Sequence, residues 1–424
     1  MLTATGGVTG TFASLAGIPA SLKGQLSYDT NNAYLTLSPN ALAPLTSNTT
    51  GNQNNVVSAI DKAVAGGAVP LPGFVPLYNL SGPALNSALD QISGQAAPNV
   101  TNAVGQGFLS FMSMTAGGGS GDAGSFAPGS AYGGADAPHR AQLEAGQTRV
   151  WGAAYGGHVG LSGDSASGAA SLSSNNVGMI GGADMQVADG VIAGVTLGLG
   201  RQLFHSGNGS GDSSDFLVGL YGRADAGAAY VAASFGYGWH EIKTLRVVTV
   251  SGTDVLQGKQ NADDVGGRIE AGWRLALDDS YTITPYGAFA GESFDSPAYA
   301  ETAISGASTF ALSYAAQTTT LGRSELGAHL ERNYGMEQGM LTADLHAAWA
   351  HQLDDLPFTQ ASFLNLPGAT FQVVGVRPGR DTALLGLNLE VRNNSGLFFG
   401  VRGEGQFGVG TTMVEGLGNF GWRW

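Results

Sequence analysis

The sequence predicts an all-β fold: a 12-stranded antiparallel transmembrane β-barrel with an α-helix threading its lumen, preceded by a short β-solenoid remnant. Three observations carry that expectation. From Arg149 onward the chain divides into segments of about 10–16 residues in which apolar and polar side chains alternate. The links between these segments alternate between short and long. The last segment, Thr411 to Trp424, ends on an aromatic, with Phe420, Trp422 and Trp424 set against Asn419, Gly421 and Arg423. A period of two puts the three rings on one face. Such a strand at a chain end needs an apolar surround, because a free edge in water pairs with other chains.

The 424 residues suffice for two or three domains. Net charge is −14 with only 12% charged residues, and no basic cluster occurs, which argues against a nucleic-acid partner. There is no Cys, hence no disulfide framework and no thiolate metal site. No apolar run reaches the roughly 18 residues of a membrane-crossing helix, which leaves a barrel or no membrane at all. The start, Met1 to Gly6, lacks a charged region followed by an apolar one. Either the protein is not exported, or this chain begins partway through a longer precursor.

Residues 1–46 read as short strands: Thr9–Phe12, Gln25–Tyr28 and Ala33–Leu37, with turns at Ile18-Pro19 and Asp29 to Asn32. Stacked below further coils they would be the last rungs of a solenoid. Residues 47–138 read as a linker. Its first part, 47–78, is polar and then Gly/Pro-rich. Within it, 79–116 carries a helical stripe: Leu85, Leu89 and Ile92, then Val100, Val104 and Phe108, broken near Gly94 to Pro98. Gly117 to Pro138 is Gly/Ser/Ala-rich and reads as flexible.

Residues 139–424 form the barrel. The expected strands are 148–159, 175–188, 191–204, 214–226, 228–241, 261–278, 281–293, 319–334, 339–351, 380–393, 396–408 and 411–424. Each exceeds the roughly 9–11 residues needed to span hydrocarbon. In the fifth, Val231, Ala233, Phe235, Tyr237 and Trp239 share one face, with Ser234 and His240 opposite. In the sixth, Ile269, Ala271, Trp273, Leu275 and Leu277 oppose Arg268, Glu270 and Arg274. The first and eighth alternate less cleanly. Repeated inward charges suit a water-filled lumen better than a dry core, where each would need a partner. The expected lumen-facing set is Arg268, Glu270, Arg274, Arg323, Glu325, Arg402 and Glu404. These can hold the lumen helix or pair only with each other. His240, His329 and His346 would also face the lumen, as hydrated positions. Short turns join strands 2–3, 4–5, 6–7, 8–9 and 10–11; longer links join 1–2, 3–4, 5–6, 7–8 and 9–10. An even strand count puts both barrel ends on the short-turn side.

At this point the chain resembles the C-terminal part of a type Va autotransporter. Gly10-Thr11-Phe12 through Tyr28-Asp29 to Tyr34–Leu37 resembles the autochaperone end of a pertactin-like passenger. Leu85 to Gly94 resembles the linker before the translocator. Arg149 to Gly157 resembles the first barrel strand, and Gly181–Asp184, Gly219–Gly222 and Tyr230–Ala233 the second, fourth and fifth. Gly418 to Trp424 resembles the C-terminal assembly signal, with Trp where the family more often ends in Phe. The resemblance implies an outer-membrane translocator of type V secretion that exports and anchors its own passenger at the surface of a Gram-negative cell. It implies outer-membrane lipid, the barrel-assembly machinery and the passenger segment as partners, a monomeric barrel and no cofactor. The machinery would read Phe420, Trp422 and Trp424. The alternative is a porin-like channel without cargo, which has no use for residues 1–138.

Enzyme motifs do not gain a context. Gly403–Gly408 and Gly416–Gly421 match G-x-G-x-x-G but lie inside strands with no helix to receive a pyrophosphate. Gly163-Asp164-Ser165 and Gly211-Asp212-Ser213 fall in expected loops. The Asn54-Asn55 pair lies well before the expected helix. No catalytic, cofactor or metal residue is assigned.

Overall fold

The computed structural model describes residues 1–117, 148–278 and 280–424. The stretch from 118 to Pro138, expected to be flexible, lies outside the described residues. Among those described, twelve strands close into an antiparallel barrel: β1 (Thr148–Leu161), β2 (Leu172–Ala188), β3 (Val191–Ser206), β4 (Gly209–Ala226), β5 (Ala229–Val248), β6 (Asp254–Trp273), β7 (Tyr281–Ser296), β8 (Gln317–Met336), β9 (Gly339–Gln352), β10 (Asp381–Asn393), β11 (Leu397–Gly408) and β12 (Thr411–Arg423). Each pairs with its neighbour in sequence. β12 closes on β1 in unbroken register from Thr411↔Leu161 to Arg423↔Arg149. No helix is long and apolar enough to cross a membrane.

Alternation follows from the pleat. Val231, Phe235 and Trp239 on β5 and Ile269 and Trp273 on β6 point outward and are exposed, while Ser234, His240, Arg268 and Glu270 are buried inside. Inward aromatics stand over glycines across the ladder: Trp151 over Gly182, Tyr155 over Gly178, Tyr221 over Gly194, Tyr230 over Gly272 and Phe398 over Gly421. A Cβ at any of these glycines would collide with the ring. Glycine in these strands is therefore a packing partner.

Two links expected to be long are short. β3 and β4 are joined through Gly207-Asn208, and β5 and β6 through 249–253. The strands run on past the hydrocarbon: β5 and β6 have 20 residues each, about twice what a bilayer requires. At this rim the ladder continues in water, so charge and turn residues mark where lipid ends rather than where pairing ends.

Residues 47–78 depart most from expectation. Gly51–Ala65 is a helix, α1, started by a capping box in which Gln53 N donates to Thr50 Oγ1 and Thr50 N donates to Gln53 Oε1. After a short α2 (Val75–Tyr78) come α3 (Gly82–Ile92) and α4 (Val100–Ala116). The break between the last two holds Gly94 at φ +73° and the turn Ala97–Asn99. The whole of 79–116 was expected in the lumen, yet only α4 enters it.

α1, α2 and α3 build a cap on the long-loop side. The loops after β7 and β9 contribute a four-stranded sheet: Tyr299–Ala300, Leu312–Tyr314, Phe358–Phe363 and Thr370–Val374. Val56, Ile60, Phe74, Leu77, Leu85 and Leu89 bury themselves against Phe310, Leu312, Phe363 and Val373 of these loops. Asn52 caps the sheet edge twice, donating from Nδ2 to Val374 O (2.9 Å) and accepting from Val374 N (2.8 Å). Arg246, at the top of β5, ties cap to barrel. It donates to Glu301 Oε1 (3.1 Å), Gln91 O (2.8 Å) and Phe310 O (2.9 Å).

The N-terminal strands form a separate three-stranded antiparallel sheet, Leu2–Thr3, Asn32–Pro39 and Leu22–Tyr28. A solenoid remnant is not shown: the pairing is hairpin-like, as the Asp29 turn dictates, whereas solenoid rungs stack in parallel. Asp29 Oδ1 accepts from the backbone of Asn31 (2.8 Å) and Asn32 (2.7 Å), and Oδ2 from Tyr34 Oη (2.8 Å).

Two outcomes follow. Bonds from the Asn32 and Tyr34 side chains hold the Asp29 carboxyl down at about 2. Its folded value lies below the unfolded one of about 3.9, so its contribution to the turn is full above that pH and lost as pH falls through the folded value. Amide shifts of Asn31 and Asn32 should titrate with a midpoint at about 2; a midpoint near about 3.9 would contradict the turn geometry. Phe74, fully buried between Phe310 (4.8 Å) and Phe363 (5.5 Å), should cost about 3–5 kcal/mol on change to Ala. Limited proteolysis should then cut within 51–92 while the barrel keeps its heat-modifiable migration.

Candidate functional site: a helix-filled lumen

The site is the barrel interior. α4 leans on the wall made by β2 to β7. Its N-terminal end lies at the long-loop side, where Asn99 Nδ2 donates to Ser206 Oγ (2.7 Å) and Asn99 Oδ1 accepts from Val376 N (2.8 Å). One turn further, Asn102 donates to Val376 O (2.5 Å). Its C-terminal end reaches the short-turn side, where Ala116 packs on Tyr230 and Ala232. Between these ends the bonds to the wall include Gln202 Nε2 to Val104 O (3.3 Å), Ser234 Oγ to Met112 O (3.0 Å), a Thr115–Thr196 hydroxyl pair (3.1 Å) and a bond between the Ser110 hydroxyl and the Glu415 carboxyl.

Close approach depends on missing side chains. Gly198, Gly219 and Gly236 on the wall receive Phe111, Thr115 and Met112 of the helix, and a Cβ at Gly236 would meet the Met112 tip. The helix reciprocates: a Cβ at Gly105 would strike Glu292, and one at Gly107 would strike Gln202. On the far side, Gln106, Ser110 and Ser113 face Arg323, Arg402, Glu404 and Glu415 across a space of about 70 Å³. That is room for a few waters.

The seven residues read from sequence all sit on the inner face, and all engage other wall residues. Arg268 on β6 reaches over β7, where Ala288 and Ala290 leave room, to Glu325 on β8 (2.9 and 2.8 Å). The same guanidinium holds Glu270 (2.9 Å). Arg323 adds a second cation to Glu325 (2.7 Å) and donates to Gln406 on β11 (3.1 Å). Arg402 pairs with Glu404. Arg274 binds Asp225 (2.7 Å), and together with Arg223 it brackets the Tyr230 ring. Of these seven, Arg323, Arg402 and Glu404 border the space beside the helix.

Sequence reasoning missed several members. Arg149 on β1 pairs with Asp184 on β2, which also accepts from the Tyr221 hydroxyl. Trp151 donates to Tyr221 (2.9 Å). The histidines are not hydrated positions. His240 lies buried between Asp215 (2.7 Å) and Asp264 (3.0 Å). His329 reaches Asp344 (3.2 Å), stacks on His346 at 4.8 Å, and His346 meets the Tyr286 hydroxyl (2.8 Å). An inward-register His with an inward carboxylate on the adjoining strand was the available signal. Among the described residues no group of three or more His, Asp or Glu is arranged to hold a metal ion.

Phe420, Trp422 and Trp424 point outward on β12, each at least half exposed, with the two Trp rings 5.0 Å apart. They lie on the lipid face, against the seam with β1.

Removing Arg268 leaves Glu270 without its ion-pair partner in a water-poor interior. Arg268→Met should cost up to about 3–5 kcal/mol, read as a lower midpoint of heat-modifiable migration. The double variant Arg268→Met/Glu270→Gln should recover part of that loss, and no recovery would mean the pair is not coupled.

The sequence model of the autotransporter beta-domain family matches residues 150–404. No curated protein sequence matches the chain. Among solved structures, the translocator domain of autotransporter NalP from Neisseria meningitidis is similar, with 15% identity, TM-score 0.53, and coverage of 65% of this chain and 88% of that one. The beta domain of the Bordetella autotransporter Brka aligns at 16% identity and TM-score 0.47, over 65% of this chain and 98% of its own. At 15% identity the NalP likeness speaks for the fold; the family match, over more than half the chain, speaks for kinship. The chain belongs to the autotransporter family, and its barrel is the outer-membrane translocator domain of that family.

Proposed function

We propose that the barrel carries the segment N-terminal to α4 to the cell surface and then retains α4 as its plug. The observation that supports this reading most is the helix direction. α4 enters from the long-loop side and ends at the short-turn side, so everything before residue 100 lies at the long-loop mouth. A helix satisfies its own backbone and can occupy a passage without bonding to the wall at every residue. Residues 1–46 are then the end of the exported passenger, 47–138 the linker, and 139–424 the translocator.

The cap extends this reading. Half of it comes from barrel loops and half from α1 to α3, which must emerge before the core can form. Burial of Ile60, Phe74 and Leu89 against Phe310 and Phe363 then opposes return of the chain, at about 1.5–3 kcal/mol per large side chain. Barrel-assembly machinery reads the outward Phe420-Trp422-Trp424 row on β12 before that strand closes on β1.

In planar bilayers the full chain should conduct weakly and residues 139–424 alone strongly; equal conductance would refute the plug. Trp424→Ala should lower the amount of heat-modifiable barrel in outer membranes severalfold, and unchanged levels would remove the assembly role of that row.

A further inference from the structure

On the outer wall the chain places its two barrel lysines face to face. Lys243 on β5 and Lys259 on β6 are register partners, both on the outward face. Like charges directly opposite across a ladder are destabilising unless something answers them. Glu241 answers Lys243 in part (2.8 Å). Lys259 has no ion-pair partner among the described residues. Arg201 on β3, with its side chain 62% exposed, stands on the same outward face, 3.6 Å from Asp212, itself the register partner of Lys243.

The position of this trio matters as much as its charge. Beneath it on the outward face, two to four residues along the strands, lie Leu199, Phe216 and Trp239, the last two with rings 5.6 Å apart. They line a shallow surface groove edged by Ser214, Glu241, Asn261 and Asp263, the last a carboxylate opposite Trp239. Aromatics of this kind sit at the level of lipid headgroups. In a chain of net charge −14, Arg201, Lys243 and Lys259 gather just above that belt on the long-loop side, the first two beside Asp212 and Glu241 and Lys259 left to meet an anion from outside.

We propose that Arg201, Lys243 and Lys259 bind the phosphate of an outer-leaflet lipid headgroup, with its acyl chains lying along Leu199, Phe216 and Trp239. Asp212 and Glu241 orient the cations and leave room for the amine or sugar hydroxyls that accompany such phosphates. The inference rests on the reading that the long-loop side faces the outer leaflet. It adds a specific lipid contact to a wall otherwise coated non-specifically.

The test uses the full chain folded in zwitterionic detergent, with bound lipid read by native mass spectrometry. Diphosphoryl lipid A is the probe; the same lipid stripped of phosphate and free inorganic phosphate are the controls. The diphosphorylated lipid should be retained and the stripped lipid should not. Lys243→Gln/Lys259→Gln should weaken retention about tenfold or more while heat-modifiable migration is unchanged. Equal retention of the stripped lipid, equal retention by the double variant, or displacement by millimolar inorganic phosphate would each overturn the proposal. Loss of the folded barrel itself, seen in migration, would instead count against the membrane reading on which it rests.

Discussion

Closure of the hydrogen-bonded ladder between β12 and β1 is the constraint on which the rest depends. Inside hydrocarbon no water answers a free N–H or C=O, and each orphan costs several kcal/mol. A sheet can live there only without edges. The register from Thr411 to Arg423 against Arg149 to Leu161 removes the last pair of edges. It also puts both barrel ends on the short-turn side, which fixes where α4 must come from and where it must lead. The outward Phe420, Trp422 and Trp424 follow from the same strand: its inward positions are held by Asn419 and Gly421, so the rings have only lipid to face.

Closure then creates an interior with rules of its own. Charges there are affordable only in company, and the wall supplies it through small residues: Ala288 and Ala290 on β7 let Arg268 span from β6 to β8. Glycines on β3, β4 and β5 let a 17-residue helix lie against the wall. The helix is held at its long-loop end by Asn99 and Asn102, and along its length by bonds to Gln202, Ser234 and Thr196.

Much of this was legible in the sequence because the pleat writes itself there: Arg268, Glu270 and Arg274 against Ile269, Ala271 and Trp273 needs no tertiary knowledge. The cap was not legible in the same way, since its core joins residues near 60 and 85 to residues near 310 and 365, and no local period marks such a pairing. Even so, Thr50-x-x-Gln53 is a capping-box signature and would have located α1 in a stretch read as linker. Strand ends were misjudged where β3 to β6 rise above the membrane, because polar residues there look like loop. The solenoid expectation failed for a related reason: Tyr28 and Tyr34 flank a tight Asp29 turn, which favours a hairpin over a stacked rung. The inward histidines were placed on the correct face but without their carboxylates, which lie on neighbouring strands.

The occupied lumen is the claim that carries the account, and the absence of cysteine makes it directly measurable. Thr115 on α4 and Thr196 on β3 have hydroxyls 3.1 Å apart, within reach of a disulfide once both are Cys. In Thr115→Cys/Thr196→Cys, mild oxidation of the membrane-inserted full chain should give a cross-linked product in high yield with the barrel still heat-modifiable. A folded barrel that gives no cross-link at this pair would place the helix outside the lumen and contradict the account.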